Sequence, residues 1–294
     1  MKFPLRLMLF IGLFLMTWGC KTSTAQMTTD QASHPDKNFY IFLCFGQSNM
    51  EGYPNRGNDL EDRDKVADPR FQVLAAVDFP NLNRKKGNWY PAVPPLCRPG
   101  TGLCPADYFG RTLVSNLPPE IKIGIINVSV AGCKIEMFDK TNYQTYLASE
   151  RDFIKNICRS YDNDPYQYLV DLAKQAQQDG VIKGILLHQG ESNAGDQQWP
   201  NKVKGVYDNL IKDLNLDPKQ VPLLVGGMAN QNAGLNKTIE NLPQTIPNSY
   251  AISSKGCPGR PDNLHFTPAG YRELGTRYGL QMLTILGYKT AGQH

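Results

Sequence analysis

Only four histidines occur in the 294-residue chain, His34, His188, His265 and His294. His34 sits in a polar, small-residue stretch and His294 closes the sequence, so an imidazole used as a general base falls to His188 or His265. His265 ends the run Asp262-Asn263-Leu264-His265. A carboxylate three residues before a histidine in a turn can curl back to accept from Nδ1, which fixes the tautomer and leaves Nε2 free as a base. Far earlier, Ser48 stands in Phe45-Gly46-Gln47-Ser48-Asn49-Met50-Glu51-Gly52. A serine hydroxyl is a weak nucleophile until a positioned base takes its proton, so Ser48, His265 and Asp262 together predict nucleophilic acyl transfer.

Such chemistry also needs donors for a developing oxyanion. Gly132 follows an apolar run and lacks a Cβ, which leaves its N–H open to close approach. Gln189, in His188-Gln189-Gly190-Glu191-Ser192-Asn193, offers a side-chain amide as a further donor. Gln47, Asn49, His188 and Glu191 are expected to support these groups by hydrogen bonding, since an unpaired buried carboxylate or imidazole is costly. Cys133 beside Gly132 has no accompanying Cys-His motif, and the histidines do not fall in a zinc-ligand spacing, so no metal or cofactor is expected.

The elements that must carry these residues follow from periodicity. Apolar runs at 39–45, 71–77, 121–130, 181–187, 221–227 and 250–253 read as strands, most of them buried on both faces. Helical patterns fall at 105–116, 165–178, 203–214 and from 267 to about 286, the last with Thr267 as N-cap and Pro268 in its first turn. Strands alternating with helices predict one three-layer α/β/α domain over residues 38–290, built on a central parallel sheet. Apart from the 71–77 strand, residues 56–105 read as long loops over the active face, with Trp89, Tyr90 and Trp199 either sugar-stacking platforms or packing residues.

Composition narrows the class. The chain is 41% hydrophobic and 20% charged, an ordinary globular balance. Residues 1–25 carry Lys2 and Arg6, an apolar run at 7–18 and the small residues Ser23-Thr24-Ala25, which is the anatomy of a secretory signal too short to span a bilayer. Cleavage after Ala25 would leave a flexible tether at 26–37 and a secreted or periplasmic protein. Gly19-Cys20 offers lipidation at Cys20, an outer-membrane anchor, as the alternative. Removing residues 1–25 takes away Lys2, Arg6 and Lys21 and no acid, lowering the formal charge from +4 to +1. A nearly neutral protein whose only basic triplet is Arg84-Lys85-Lys86 predicts no nucleic-acid groove. Six cysteines follow Cys20, and in an exported chain Cys97 and Cys104, flanking a turn-rich segment, are the favoured bridge. The sequons at Asn127 and Asn236 read as chance matches.

Three motifs in this order, Gly46-Gln47-Ser48-Asn49-Met50, His188-Gln189-Gly190-Glu191-Ser192 and Asp262-Asn263-Leu264-His265, resemble the SGNH-hydrolase superfamily. More narrowly they resemble its carbohydrate acetylesterase branch, carbohydrate esterase family 6, with the sialate O-acetylesterase-like domains. The resemblance implies a flavodoxin-like fold and a metal-free serine esterase that removes acetyl groups from sugar hydroxyls of xylan, a related glycan or sialic acid. Carried over by motif, Ser48 is the nucleophile, His265 the base and Asp262 its orienting partner, with the Ser48 N–H, Gly132 and Gln189 lining the oxyanion hole. Gln189 stands where most of the superfamily has asparagine. Ala131-Gly132-Cys133-Lys134 departs from the usual two glycines and a small hydroxyl residue, which makes Lys134 a residue that crowds or tunes the pocket. A sugar-binding protein without hydrolysis and an esterase for longer acyl chains are the alternatives.

Overall fold

The computed structural model describes residues 34–54, 59–229 and 233–288. The expected signal segment, the Cys20 anchor site and His294 lie outside the described residues, as does most of the tether. Seven strands form one sheet: β1 (Phe39–Gly46), β2 (Phe71–Leu74), β3 (Trp89–Pro91), β4 (Lys122–Ser129), β5 (Val181–His188), β6 (Leu223–Gly226) and β7 (Ser249–Ile252). Their spatial order is β3-β2-β4-β1-β5-β6-β7. All neighbours are parallel except β2 and β3. The five strands β4-β1-β5-β6-β7 reproduce the flavodoxin-like order 2-1-3-4-5, and β2 and β3 extend one edge.

Among the described residues the helices are α1 (Ser48–Glu51), α2 (Asp62–Lys65), α3 (Pro105–Asn116), α4 (Tyr143–Ser149), α5 (Asp152–Arg159), α6 (Pro165–Ala176), α7 (Trp199–Asp213), α8 (Ala233–Glu240) and α9 (Pro268–Ile285). Successive β1 side chains serve opposite cores, as a strand of period two requires. Ile41, Leu43 and Phe45 join α6 and α7 through Leu169, Val203 and Leu210. Phe42 and Cys44 join α3 and α9 through Phe109, Leu113, Tyr278 and Met282. Two apolar layers against one doubly buried sheet give the expected α/β/α sandwich. Thr267 caps α9 by accepting from the Gly270 amide at 3.2 Å, with Pro268 just inside.

Three expectations change. Cys97 and Cys104 are both free and buried, because they lie on opposite faces of the sheet. Cys97 Sγ meets Tyr161 Oη at 3.2 Å, whereas Cys104 Sγ accepts from Asn127 Nδ2 at 3.8 Å. Trp89 and Tyr90 form the antiparallel edge strand rather than a loop over the active face. Trp89 packs edge-on against Phe39 at 4.8 Å, at the start of β1 and so at the opposite end of the sheet from Ser48. Trp199 is fully buried at the head of α7, so it offers no stacking surface. The Asn127 sequon is inside the sheet, its amide donating to the Met50 carbonyl at 2.9 Å, in line with a chance match.

Candidate active site

Register brings the motifs to one level. Gly46, the last residue of β1, pairs with Ser129 on β4 and with His188 on β5, so the residues that follow all three strands emerge side by side at the carboxyl edge. This is where an open parallel sheet binds ligands. Gly46 has φ +149°, and a Cβ there would lie 2.1 Å from the His188 carbonyl oxygen. Only glycine lets β1 end that close to β5. The Gln47 N–H then donates to that carbonyl at 3.0 Å, and α1 begins at Ser48.

The last motif reaches the same edge from the loop before α9. Asn263 takes a left-handed conformation, φ 55°, which Asn tolerates better than most residues. Asp262 Oδ1 accepts from the Leu264 and His265 amides, each at 2.9 Å, and Oδ2 lies 2.8 Å from His265 Nδ1. His265 Nε2 lies 2.9 Å from Ser48 Oγ. Burial alone would raise the Asp262 carboxyl, but hydrogen bonds from the His265 backbone and ring and the Leu264 amide outweigh it and hold the pKa below the ordinary value. An ionised Asp262 keeps the Nδ1 proton in place, so the ring presents Nε2 to the serine. Tyr53 packs on His265 with ring centroids 4.5 Å apart.

The remaining predicted residues meet around this chain of contacts. Asn49 is fully buried and spends its whole amide on the site. Its Nδ2 donates to Glu191 Oε1 at 2.8 Å and to the Leu264 carbonyl at 3.0 Å. Its Oδ1 accepts from Tyr271 Oη at 2.9 Å and the Phe266 amide at 3.3 Å. It therefore ties the serine turn to the histidine loop and to the β5 motif. Gln47 Oε1 accepts from Gln189 Nε2 at 3.2 Å and from the Gly190 and Ser192 amides at 3.4 Å. His188 is fully buried, with Nε2 3.0 Å from the Gly227 carbonyl, and desolvation lowers its pKa, which marks a neutral packing histidine.

Gly132 follows β4 with φ +73°, and Ser192 Oγ donates to its carbonyl at 3.0 Å. Among the described residues neither the Gly132 nor the Ser48 backbone N–H donates to a protein acceptor. Gln189 lies in the site but does not present the open donor expected of it. Its Nε2 faces Asn193 Oδ1 at 2.7 Å, Gln47 Oε1 at 3.2 Å and the Cys133 carbonyl at 3.3 Å, and its Oε1 accepts from Trp199 Nε1 at 2.7 Å. Two amide hydrogens are thus divided among three acceptors. Two contributors escaped the sequence reading. Glu51, one turn after Ser48, takes Arg98 Nε at 2.8 Å and Nη2 at 2.7 Å. Burial raises its pKa against the pull of Arg98 and of the Ala131 amide, which it holds beside Gly132. Asn193 Oδ1 accepts from the Ile135 amide at 2.9 Å as well as from Gln189. The i, i+3 spacing of Ser48 and Glu51 was the available signal for the first.

With this geometry in place, comparison with known proteins decides the family. The model of the carbohydrate esterase, sialic acid-specific acetylesterase family matches residues 38–284. The chain belongs to this family. It is thereby a carbohydrate esterase, and its match spans nearly the whole of the expected 38–290 domain. A probable carbohydrate esterase of Arabidopsis thaliana is 24% identical over 257 residues, covering 80% of this chain and 86% of its own. Its crystal structure superposes with a TM-score of 0.64 at 22% identity, over 85% of this chain and 99% of that one. A carbohydrate acetylesterase of Xanthomonas citri matches with a TM-score of 0.60 at 19% identity, over 85% of this chain and 57% of the other. At these identities the structural likenesses establish the shared fold.

Proposed function

We propose that this carbohydrate esterase removes O-acetyl groups from an acetylated glycan or sialic acid by a serine acyl-enzyme mechanism. The observation that carries the reading is the unbroken line from Asp262 Oδ2 through His265 to Ser48 Oγ, with contacts of 2.8 and 2.9 Å, beside two backbone amides without protein acceptors among the described residues. Ser48 Oγ attacks the acetyl carbonyl as His265 Nε2 takes its proton. The carbonyl oxygen, now negative, is held by the Ser48 and Gly132 N–H groups. His265 then protonates the departing sugar oxygen, and water, activated by the same imidazole, releases acetate from Ser48.

In this reading Gln189 is a positioning residue. It holds the Cys133 carbonyl and Gln47 together, and so sets the spacing between the Gly132 and Ser48 amides. Becoming a third donor would require it to give up one of those acceptors. The N-terminal pattern supports export, with cleavage after Ala25 or lipidation at Cys20, and the mass of the mature protein distinguishes these from retention. The enzymatic reading is tested by acetate release from acetylated xylan and O-acetylated sialic acid. Ser48→Ala is expected to lower kcat on the order of 10⁴-fold or more while keeping the fold. Undiminished release by Ser48→Ala would remove the serine from the mechanism, and rates rising from acetyl to octanoyl esters would remove the small acyl pocket.

A further inference from the structure

The rim at Gly132 carries an exposed pair of side chains that acyl transfer to Ser48 does not use. Phe153, in the first turn of α5, is 45% exposed, and its Cζ lies 3.1 Å from where a Cβ on Gly132 would stand. Arg151, the residue that caps α5, brings Nη2 to 3.3 Å from the same point and lays its guanidinium 4.6 Å from the Phe153 ring centroid. A Cβ is two bonds from its own amide nitrogen, so Nη2 lies within roughly 6 Å of the N–H that faces the carbonyl oxygen. Leu264, next to His265 in the chain, is 42% exposed. Two of the five exposed large hydrophobics among the described residues thus belong to segments that border the reaction centre.

The charge at this rim is unspent. Of the arginines bordering the site, Arg98 pairs with Glu51 at 2.7 Å and Arg260 with Asp59 at 3.2 Å. Arg151 has no ion-pair partner among the described residues, although Glu150 and Asp152 adjoin it in sequence; Glu150 Oε2 accepts instead from the Arg151 backbone amide at 3.3 Å. A guanidinium held by an aromatic face keeps its in-plane donors free, and that fork matches a carboxylate.

We propose that Arg151 and Phe153 form a subsite for a carboxylate-bearing sugar. The guanidinium pairs with the sugar's carboxylate and the phenyl ring packs on an apolar face of the sugar, next to the acetyl group being removed. This deepens the acetylesterase reading and rests on it. Electrostatic pairing orients the substrate before chemistry, so its loss falls mainly on KM.

The test measures acetate release from O-acetylated glucuronic acid and O-acetylated N-acetylneuraminic acid, each as the free acid and as its methyl ester. The wild type is expected to prefer the acid in at least one pair. Arg151→Gln should lower the acid-to-ester ratio of kcat/KM by about tenfold or more, mostly through KM, and Arg151→Lys should restore part of it. Arg159→Gln, at the far end of the same helix, serves as the control for general loss of surface charge and should leave the ratio unchanged. An unchanged ratio in Arg151→Gln, or an equal fall in kcat on acid and ester, overturns the subsite. A wild type that deacetylates neutral sugars without preferring either acid also overturns it while leaving the esterase reading intact. A wild type that releases acetate from no ester, 4-nitrophenyl acetate included, overturns the esterase reading and this inference with it.

Discussion

At the scale of single residues, the sequence singled out the groups proposed here to react but not the hydrogen bonds behind them. Scarcity did most of this: with two histidines to choose from, Asp262-Asn263-Leu264-His265 stood out, and the Asp262–His265 contact that its spacing allows is 2.8 Å long. What spacing does not encode is how one amide divides its hydrogens. Gln189 shares its two among Asn193, Gln47 and Cys133, partners up to 142 residues away. Gln189→Ala would leave the buried Trp199 indole N–H and the Cys133 carbonyl without the partners that Gln189 supplies. We expect it to cost about 2–5 kcal/mol of stability by urea unfolding, because each buried unpaired group costs about 1–3 kcal/mol. Its kcat should fall about tenfold, since the hole loses alignment rather than a donor. A direct donor would give the opposite balance, a loss of about 10²–10³ in kcat with stability nearly intact.

At the scale of elements, the strands were legible because their apolar runs are continuous, and the ends differ from expectation by only a few residues. β3 was not legible, because three residues at a sheet edge carry no periodicity. Likewise α4 has no fully buried residue, and its half-buried Tyr143, Tyr146 and Leu147 make too short a stripe to read. The start of α3 holds a feature that periodicity also conceals. Asp107, three residues into α3 from its cap, is fully buried, with Oδ2 accepting from the Cys104 amide at 2.9 Å and Oδ1 lacking a partner among the described residues. Desolvation pushes its pKa up to about 7 against the opposing Cys104 hydrogen bond and Arg111, with Asp64 adding to the rise. The folded state therefore holds a proton that the unfolded chain releases near the ordinary value of 3.8. Stability from this group is present below that value and is lost as pH climbs to about 7. His188 acts in the opposite sense, since its lowered pKa makes stability fall as pH drops below 6.5. Asp107→Asn, which mimics the protonated form, should match the wild type near pH 4 and exceed it at pH 8 by a few kcal/mol, on the order of 1.4 per pKa unit. Thermal unfolding across this range checks the sign, and a variant that gains nothing at pH 8 would show that Asp107 is ionised at little cost.

At the scale of the whole molecule, what the sequence misjudged was how the fold is held. Six cysteines in a chain expected to be exported permit disulfides, with Cys97–Cys104 the favoured bridge, yet all six among the described residues are free and buried. Cys97 sits in the core toward α6 and Cys104 in the core toward α3, with the sheet between them, so no local turn could join them. Each behaves as a small apolar residue. Burial pushes the thiols up, Cys97 to about 12 and Cys133 well above its usual value, so neither forms a nucleophilic thiolate near neutral pH. Stability then rests on the two apolar layers that clasp the sheet rather than on covalent closure of loops. In a Cys20→Ser background, dithiothreitol should leave Tm within about 1 °C, whereas a lost disulfide worth about 2–4 kcal/mol would lower it by several degrees. A thiol reagent such as dithionitrobenzoate should label the native protein slowly and react with all six groups at once in denaturant, because exposing any of them requires opening a core. A Tm that falls with reductant, or fewer than six thiols titrating in denaturant, would mean that covalent bonds share the task assigned here to packing.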